Sequence, residues 1–448
     1  MVGTFTTACE RDHVDASVTQ GQPRAAMPAI VPLGLWLGLI AVAVVWGRYL
    51  LDTGAGLGIG AAPLAGRFGW RVSSDALTPI AFAVAVIIGA PILVARLAWR
   101  RVLAAGAALS VLWAFALSRI DGGHALVTPF RSPAYLQTAQ TIHDPGRFLA
   151  QFVDRIHSYN SHARGHPPGM ELLFWATAHL GLSGVGWNAA LALVGGAAAC
   201  IAVLVALRDV GGEAQARTAL PFVVLAPAAI WWSSGDAFFA GVSAWAVTLI
   251  VLATGSTGRA SDARAVLGGL LFGLTAFLSY GLVLVACIPI AVAVFRRRLR
   301  LIALAAAGAA PVFAAFAAAG FSWFAGLTAT RTQYWLGAAH HRPYRYFLVA
   351  DLAAFALAVG PVGAIALSRL RDGRVWTLVG GALIAVVVAD LSGMSKAEVE
   401  RIWLPFVPWV LLATSVFVRA PRARVARGWL ALQAATAVVI ELAVRSPW

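Results

Sequence analysis

From Ala29 to Val444 the chain repeats one pattern, a long apolar run followed by a short polar junction. The runs are continuous rather than alternating residue by residue, so they predict helices and not the strands of a β-barrel. Thirteen are candidates to cross the roughly 30 Å hydrocarbon core of a bilayer. They are Ala29–Trp46, Ala76–Ala95, Val102–Leu117, Val185–Leu207, Ala219–Trp232, Ala237–Ala253, Ala265–Ser279, Gly281–Phe295, Leu301–Ala319, Phe347–Leu367, Trp376–Leu391, Ile402–Val418 and Trp429–Val444. In lipid a helix satisfies its own backbone polar groups, so the expected fold is all-α and polytopic, with about thirteen transmembrane helices. Residues 27–448 form a single membrane domain on this reading, and the polar residues 1–26 form a disordered cytoplasmic tail. The longest stretch between spans is 118–166, an outside loop expected to carry surface helices.

Composition agrees: 60% of the 448 residues are hydrophobic and only 12% charged, at a mean hydropathy of +0.80. A soluble chain of this length needs more polar surface. The net charge of +15 could point to nucleic acid, but the arginines fall in short clusters between apolar runs. That is the positive-inside pattern, so no nucleic-acid partner is expected. Arg96/Arg100/Arg101, Arg296/Arg297/Arg298/Arg300, Arg369/Arg371/Arg374 and Arg419/Arg422/Arg424/Arg427 then mark the cytoplasmic side. Segments 48–75, 118–166, 320–346 and 392–401 fall outside, as does the junction 233–236. Arg208 and Arg217 break this parity unless Met170–Leu182, short for a span, is re-entrant or interfacial, or the two arginines simply sit outside. The three cysteines are scattered and imply no disulfide framework or metal site.

Ionisable residues at the ends of membrane spans are the natural candidates for chemistry. They gather in four stretches on the outside. In the first, "SRIDGGHAL" places Asp121 just after a span, and "DPGRFLAQFVDRIHSY" puts Phe148, Phe152 and Ile156 on one face. That spacing suits a helix lying on the membrane surface. The stretch closes on "HARGHPPGMELLFW", where two prolines stop the surface segment and start a new helix that carries Glu171. The second, "LAPAAIWWSSGDAFFAG", ends one helix and opens another at Asp236. The third, "RTQYWLGAAHHRPYRYF", sets His341, Arg342 and Arg345 among aromatics, as suits a phosphate at an interface. The fourth, "GMSKAEVERIWLPFVPWV", carries Lys396, Glu398, Glu400 and Arg401 before Pro405 and Pro408, which should bend the following span.

These four stretches, in this order, resemble the GT-C superfamily of membrane glycosyltransferases, near the protein mannosyltransferase and aminoarabinose transferase group. The matching elements are Asp121, "RGHPPGMELLFW", "LAPAAIWWSSGDAF" and "EVERIWLPFVP", spread over residues 102–418. The sequence departs from the family pattern in having two spans before Asp121, a single acid at that position, Gly169 in place of leucine, and no tyrosine after Arg401. The resemblance implies transfer of a mannose- or arabinofuranose-like sugar from a polyprenyl-phosphate donor. The acceptor would be a glycan, glycolipid or protein of the cell envelope, at the outer face of the plasma membrane. It implies Asp121 as general base, with Arg401, Lys396, Arg342, Arg345 and His341 on the donor phosphate. Asp236, Glu171, His166 and Tyr135 would meet the sugar or acceptor. No metal ligand is assigned: a divalent metal is possible but lacks the carboxylate pair that would hold it. From a different class, a transporter or flippase for a lipid-linked or anionic substrate would also show outward cations and a wet cavity.

Overall fold

The computed structural model describes residues 27–122, 124–131, 133–419 and 423–448. Side chains 132–136, 338 and 419–425 are outside that description, as is the expected tail at 1–26. The protein is a polytopic all-α membrane protein. Among the described residues, nine helices are long and apolar enough to cross a membrane. Tyr344–Val359 and Pro361–Arg369, which meet at 90°, make a tenth if the bent pair is counted as one span. The bend has a cause. Gly360 takes a left-handed φ of +85° and Pro361 follows it, and Gln433 Nε2 donates to the Val359 carbonyl at 2.7 Å.

The remaining three of the thirteen expected spans are shorter or broken. Glu213–Val224 gives way to a 3-10 segment, Pro227–Trp231; Tyr280–Ala286 is 3-10 before Cys287–Phe295; and Pro405 lies at the break ahead of Val407–Leu411, with Pro408 in that helix's first turn. Each break coincides with a proline or a polar junction, where a backbone hydrogen bond is lost inside the protein rather than in lipid.

Two ends of the bundle are distinguished by their ion pairs. At one end Arg208 and Arg217 sit over the Trp99 ring, and Arg217 donates to the Leu97 carbonyl at 3.0 Å. Both arginines pair with Glu213, and Arg296 pairs with Asp209 at 2.7 Å. Arg208 closes the Val185–Gly211 helix, and Trp99 opens the Trp99–Ser118 helix. The two helices therefore run in opposite directions, and Asp121 and Val185 lie at the same end. The intervening Gly169–His179 helix has 11 residues, roughly 16 Å of rise, about half a bilayer core. It does not cross, and the parity problem disappears.

The centre of the bundle is the Gly235–Thr254 helix, with 72% of its apolar window buried against 17% for the outlying Ile30–Asp52. Close packing here depends on missing side chains. A Cβ on Gly195 would collide with the backbone of Ala237 and Phe238, and one on Gly196 with the Trp232 ring. The expected surface helix is shorter than the sequence pattern, Pro145–Gln151, and does not turn its apolar residues to lipid. Leu149, Phe152 and Ile156 are buried with Phe277, Val312 and Phe321.

This topology makes a labelling prediction. A cysteine at Ser183 is modified by a membrane-impermeant maleimide from the same side as one at Ser158, and a cysteine at Ala214 from the opposite side. Labelling of Ser183 and Ala214 positions from one side would contradict it.

Candidate functional site

The site forms at the end of the bundle that carries Asp121. Asp236 is in the first turn of the Gly235–Thr254 helix and is buried. It faces Arg401, which the chain delivers from 165 residues away: Nη1 donates to Asp236 Oδ2 at 2.7 Å. The Arg401 and Asp236 side chains are 8% and 5% exposed, so this is a buried ion pair. Such a pair draws its strength from low dielectric, and removing one partner strands the other charge. Arg401 Nη2 also reaches Glu398 Oε2 at 2.5 Å, on a carboxylate that is 26% exposed.

Arg401 belongs to a short helix, Val399–Ile402, whose approach is strained. Ala397 and Glu398 both take left-handed φ, +74° and +62°. Side chains lose favour there, and such strain persists only where surroundings over-determine it. They do: Ala397 N donates to Asp351 Oδ1 at 3.1 Å, Lys396 N to the Tyr334 hydroxyl at 2.9 Å, and Arg342 Nη1 to the Lys396 carbonyl at 2.5 Å.

The HPPG junction meets the same spot. Asn160 caps the Ser161–Gly165 helix, accepting from the backbone N–H groups of His162 and Ala163 at 3.0 Å. His166 follows, buried with its ring 5.6 Å from Phe239. Burial pulls the His166 imidazole below its usual pKa; Asp236 opposes the shift and Arg401 adds to it. His162 is pulled down to about 3, mainly by burial, then by Arg401 and His166. Both rings are therefore neutral, able to donate and accept hydrogen bonds without adding charge. Gly169, the departure from the family pattern, has a steric reason: a Cβ there would overlap the Phe277 carbonyl. In the helix that follows the junction, Glu171 is buried and accepts from the Ala139 backbone, and burial pushes its carboxyl up to about 8. Glu400, next to Arg401, accepts from Ala65 N at 2.9 Å and is pushed up to about 7, again by burial.

The other expected residues stand apart from this cluster. Asp121 ends a 3-10 turn and is ion-paired with Arg71, which also donates to the carbonyls of Glu441 and Val444. Lys396 is buried, its ammonium donating to the carbonyls of Ala339 at 2.6 Å and Arg342 at 2.9 Å and resting 4.6 Å from the Trp335 ring centre. Arg342 closes the exchange through its bonds to Lys396 and to the Leu57 carbonyl. His341 is exposed on the same loop, and Arg345 is exposed in the first turn of the Tyr344–Val359 helix that follows. The helix that carries Tyr135 is described, but the Tyr135 side chain is outside the described residues. Among the described residues no three His, Cys, Asp or Glu side chains gather as a metal site.

Three members of the site were not legible as such. His162 had a signal, since it stands one helical turn before His166. Arg71 and Trp448 had none. Trp448 places its ring 4.0 Å from the Arg401 guanidinium and 6.5 Å from the His162 ring.

No protein-family model matches the chain, and no curated protein matches it. Two of the solved structures to which the chain is similar illustrate the likeness. One is ArnT from Cupriavidus metallidurans bound to undecaprenyl phosphate, at 16% identity and a TM-score of 0.39, covering 68% of this chain and 62% of that one. The other is the Archaeoglobus fulgidus oligosaccharyltransferase in complex with Zn and sulfate, at 15% identity and a TM-score of 0.38, covering 77% of this chain and 51% of that one. The chain thus matches about half to three-fifths of the length of these structures.

The raised Glu171 pKa has a measurable consequence. An unfolded glutamate ionises near 4.5, while the buried one keeps its proton to about 8. Between these values the unfolded chain sheds a proton that the folded protein retains. The stability tied to Glu171 is therefore full below about pH 4.5 and falls as pH rises toward 8. One proton limits the slope to about 1.4 kcal/mol per pH unit. In thermal unfolding across pH 5–8, Glu171→Gln flattens this decline; an unchanged slope would refute the assignment.

Proposed function

We propose that the protein is a membrane glycosyltransferase. It moves a mannose- or arabinofuranose-like sugar from a polyprenyl-phosphate donor to a glycan, glycolipid or protein acceptor of the cell envelope, at the outer face of the plasma membrane. One observation carries this reading. Three of the stretches on which the GT-C resemblance rests, holding His166, Asp236 and Arg401, converge from distant parts of the chain on one buried polar cluster.

The chemistry asks for two things. As the bond from the anomeric carbon to the phosphate oxygen breaks, negative charge grows on the departing polyprenyl phosphate and needs a fixed cation. As the new bond to the acceptor oxygen forms, the acceptor hydroxyl must surrender its proton to a base. Arg401 supplies the cation. Asp236, the more buried of its two carboxylates, holds the guanidinium in place, and the phosphate displaces the more exposed Glu398 from Nη2. The neutral rings of His162 and His166 and the protonated Glu171 bond sugar or acceptor hydroxyls, a role in which Tyr135 joins them. Asp121 takes the proton, its carboxylate oriented by Arg71. Lys396 and Arg342 hold the loop that presents Arg401, and Arg345 and His341 meet the phosphate as the lipid arrives.

The test is reconstitution in liposomes with radiolabelled polyprenyl-phosphate sugars. Wild-type protein transfers label to an envelope acceptor, and Asp121→Asn lowers kcat by about 10²–10⁴-fold, the range for a lost general base. Full turnover in Asp121→Asn would remove Asp121 from the mechanism. Movement of a solute or lipid across the bilayer without sugar transfer would replace the enzyme by a transporter or flippase.

A further inference from the structure

The segment that follows the last span is not a loose end. Val444–Arg445 pairs antiparallel with Arg67–Phe68, and the ladder continues as Gly69 N donates to Ala443 O and Arg71 N to Leu442 O, both at 2.9 Å. Gly66, at φ +105°, passes so close to Arg445 that a Cβ would strike its carbonyl. The contact between the two strands is thus built into the backbone, and it fixes where Trp448 falls. The Arg401 guanidinium carbon sits over the ring, 4.0 Å from its centre, and its two terminal nitrogens are bonded to Asp236 and Glu398.

The Trp448 indole N–H is buried and has no hydrogen-bond acceptor among the described residues. Buried N–H groups without a partner are rare, and each calls for an explanation. The carboxylates nearest to Arg401 are engaged with its guanidinium. A phosphate, with several acceptor oxygens, matches a guanidinium edge flanked by a second N–H donor.

We propose that Trp448 is a binding residue for the donor phosphate: its ring fixes the plane of Arg401, and its indole N–H donates to a phosphate oxygen held there. This rests on the reading of Arg401 as the phosphate site. It adds a residue that the four stretches of the sequence do not contain. A neutral lipid of the same chain length has no anionic oxygen to accept the bond, so it should not depend on the indole N–H.

The experiment uses the full chain in nanodiscs and measures affinity for undecaprenyl phosphate and for undecaprenol, with melting temperature in parallel. Trp448→Phe keeps an aromatic face and loses only the N–H. It should keep the melting temperature, lose about tenfold in affinity for undecaprenyl phosphate, and bind undecaprenol unchanged. Trp448→Ala should lose at least as much. If Arg401→Gln abolishes undecaprenyl phosphate binding while both Trp448 variants bind like wild type, the role of Trp448 is overturned and the phosphate site stands. If Arg401→Gln binds like wild type, the phosphate site itself is wrong, and the role of Trp448 with it. Equal losses for both lipids would also overturn the proposal, because a ring that only supports the fold lowers both.

Discussion

The buried ion pair between Asp236 and Arg401 is the constraint around which this end of the protein is arranged. Neither charge is tolerable alone in such surroundings, since a stranded buried charge costs on the order of 3–5 kcal/mol. The pair therefore ties the mouth of the most enclosed helix, Gly235–Thr254, to a loop 165 residues later. That loop can reach Asp236 only by running through two left-handed residues, Ala397 and Glu398, which Asp351, Tyr334 and Arg342 hold in place. The HPPG junction lies against the same pair, and burial beside it leaves both His162 and His166 without charge.

Much of the bundle was legible because apolar runs report membrane helices almost directly. What the runs could not report was continuity. Ala219–Trp232 reads as one span, yet Pro227 and the serines behind it break it into a helix and a 3-10 segment, and Phe347–Leu367 hides a right-angle bend at Gly360. The parity of Arg208 and Arg217 could not be decided from charge counts. It follows from their contacts with Trp99 and Leu97, which are tertiary. The Pro145–Gln151 helix shows the opposite error: its apolar spacing was real, but protein aromatics rather than lipid receive it.

The site was legible in its parts and not in its assembly. His166, Asp236 and Arg401 could be picked out because proline junctions and charges are conspicuous in an apolar chain. Their meeting could not, since no local pattern encodes a 165-residue contact. Trp448 carries no local signal at all. Its position is set by strand pairing between two short segments near opposite ends of the bundle sequence, Arg67–Phe68 and Val444–Arg445. The same strap touches both halves of the site, since Arg71 holds Asp121 and the carbonyls of Glu441 and Val444 together.

An ion pair can hold a fold together, serve a ligand, or do both, and the pair at Asp236 and Arg401 is held here to do both. The most direct test is a double-mutant cycle of Asp236→Asn and Arg401→Gln, read by thermal stability and by undecaprenyl phosphate binding. Arg401→Gln strands Asp236 and should be destabilised by about 3–5 kcal/mol, Asp236→Asn should lose less because Glu398 still pairs with Arg401, and the double variant should recover much of the Arg401→Gln loss. Recovery of stability without recovery of binding is the predicted result. A double variant that binds the lipid as wild type does would show that the pair is structural and that the phosphate is held elsewhere.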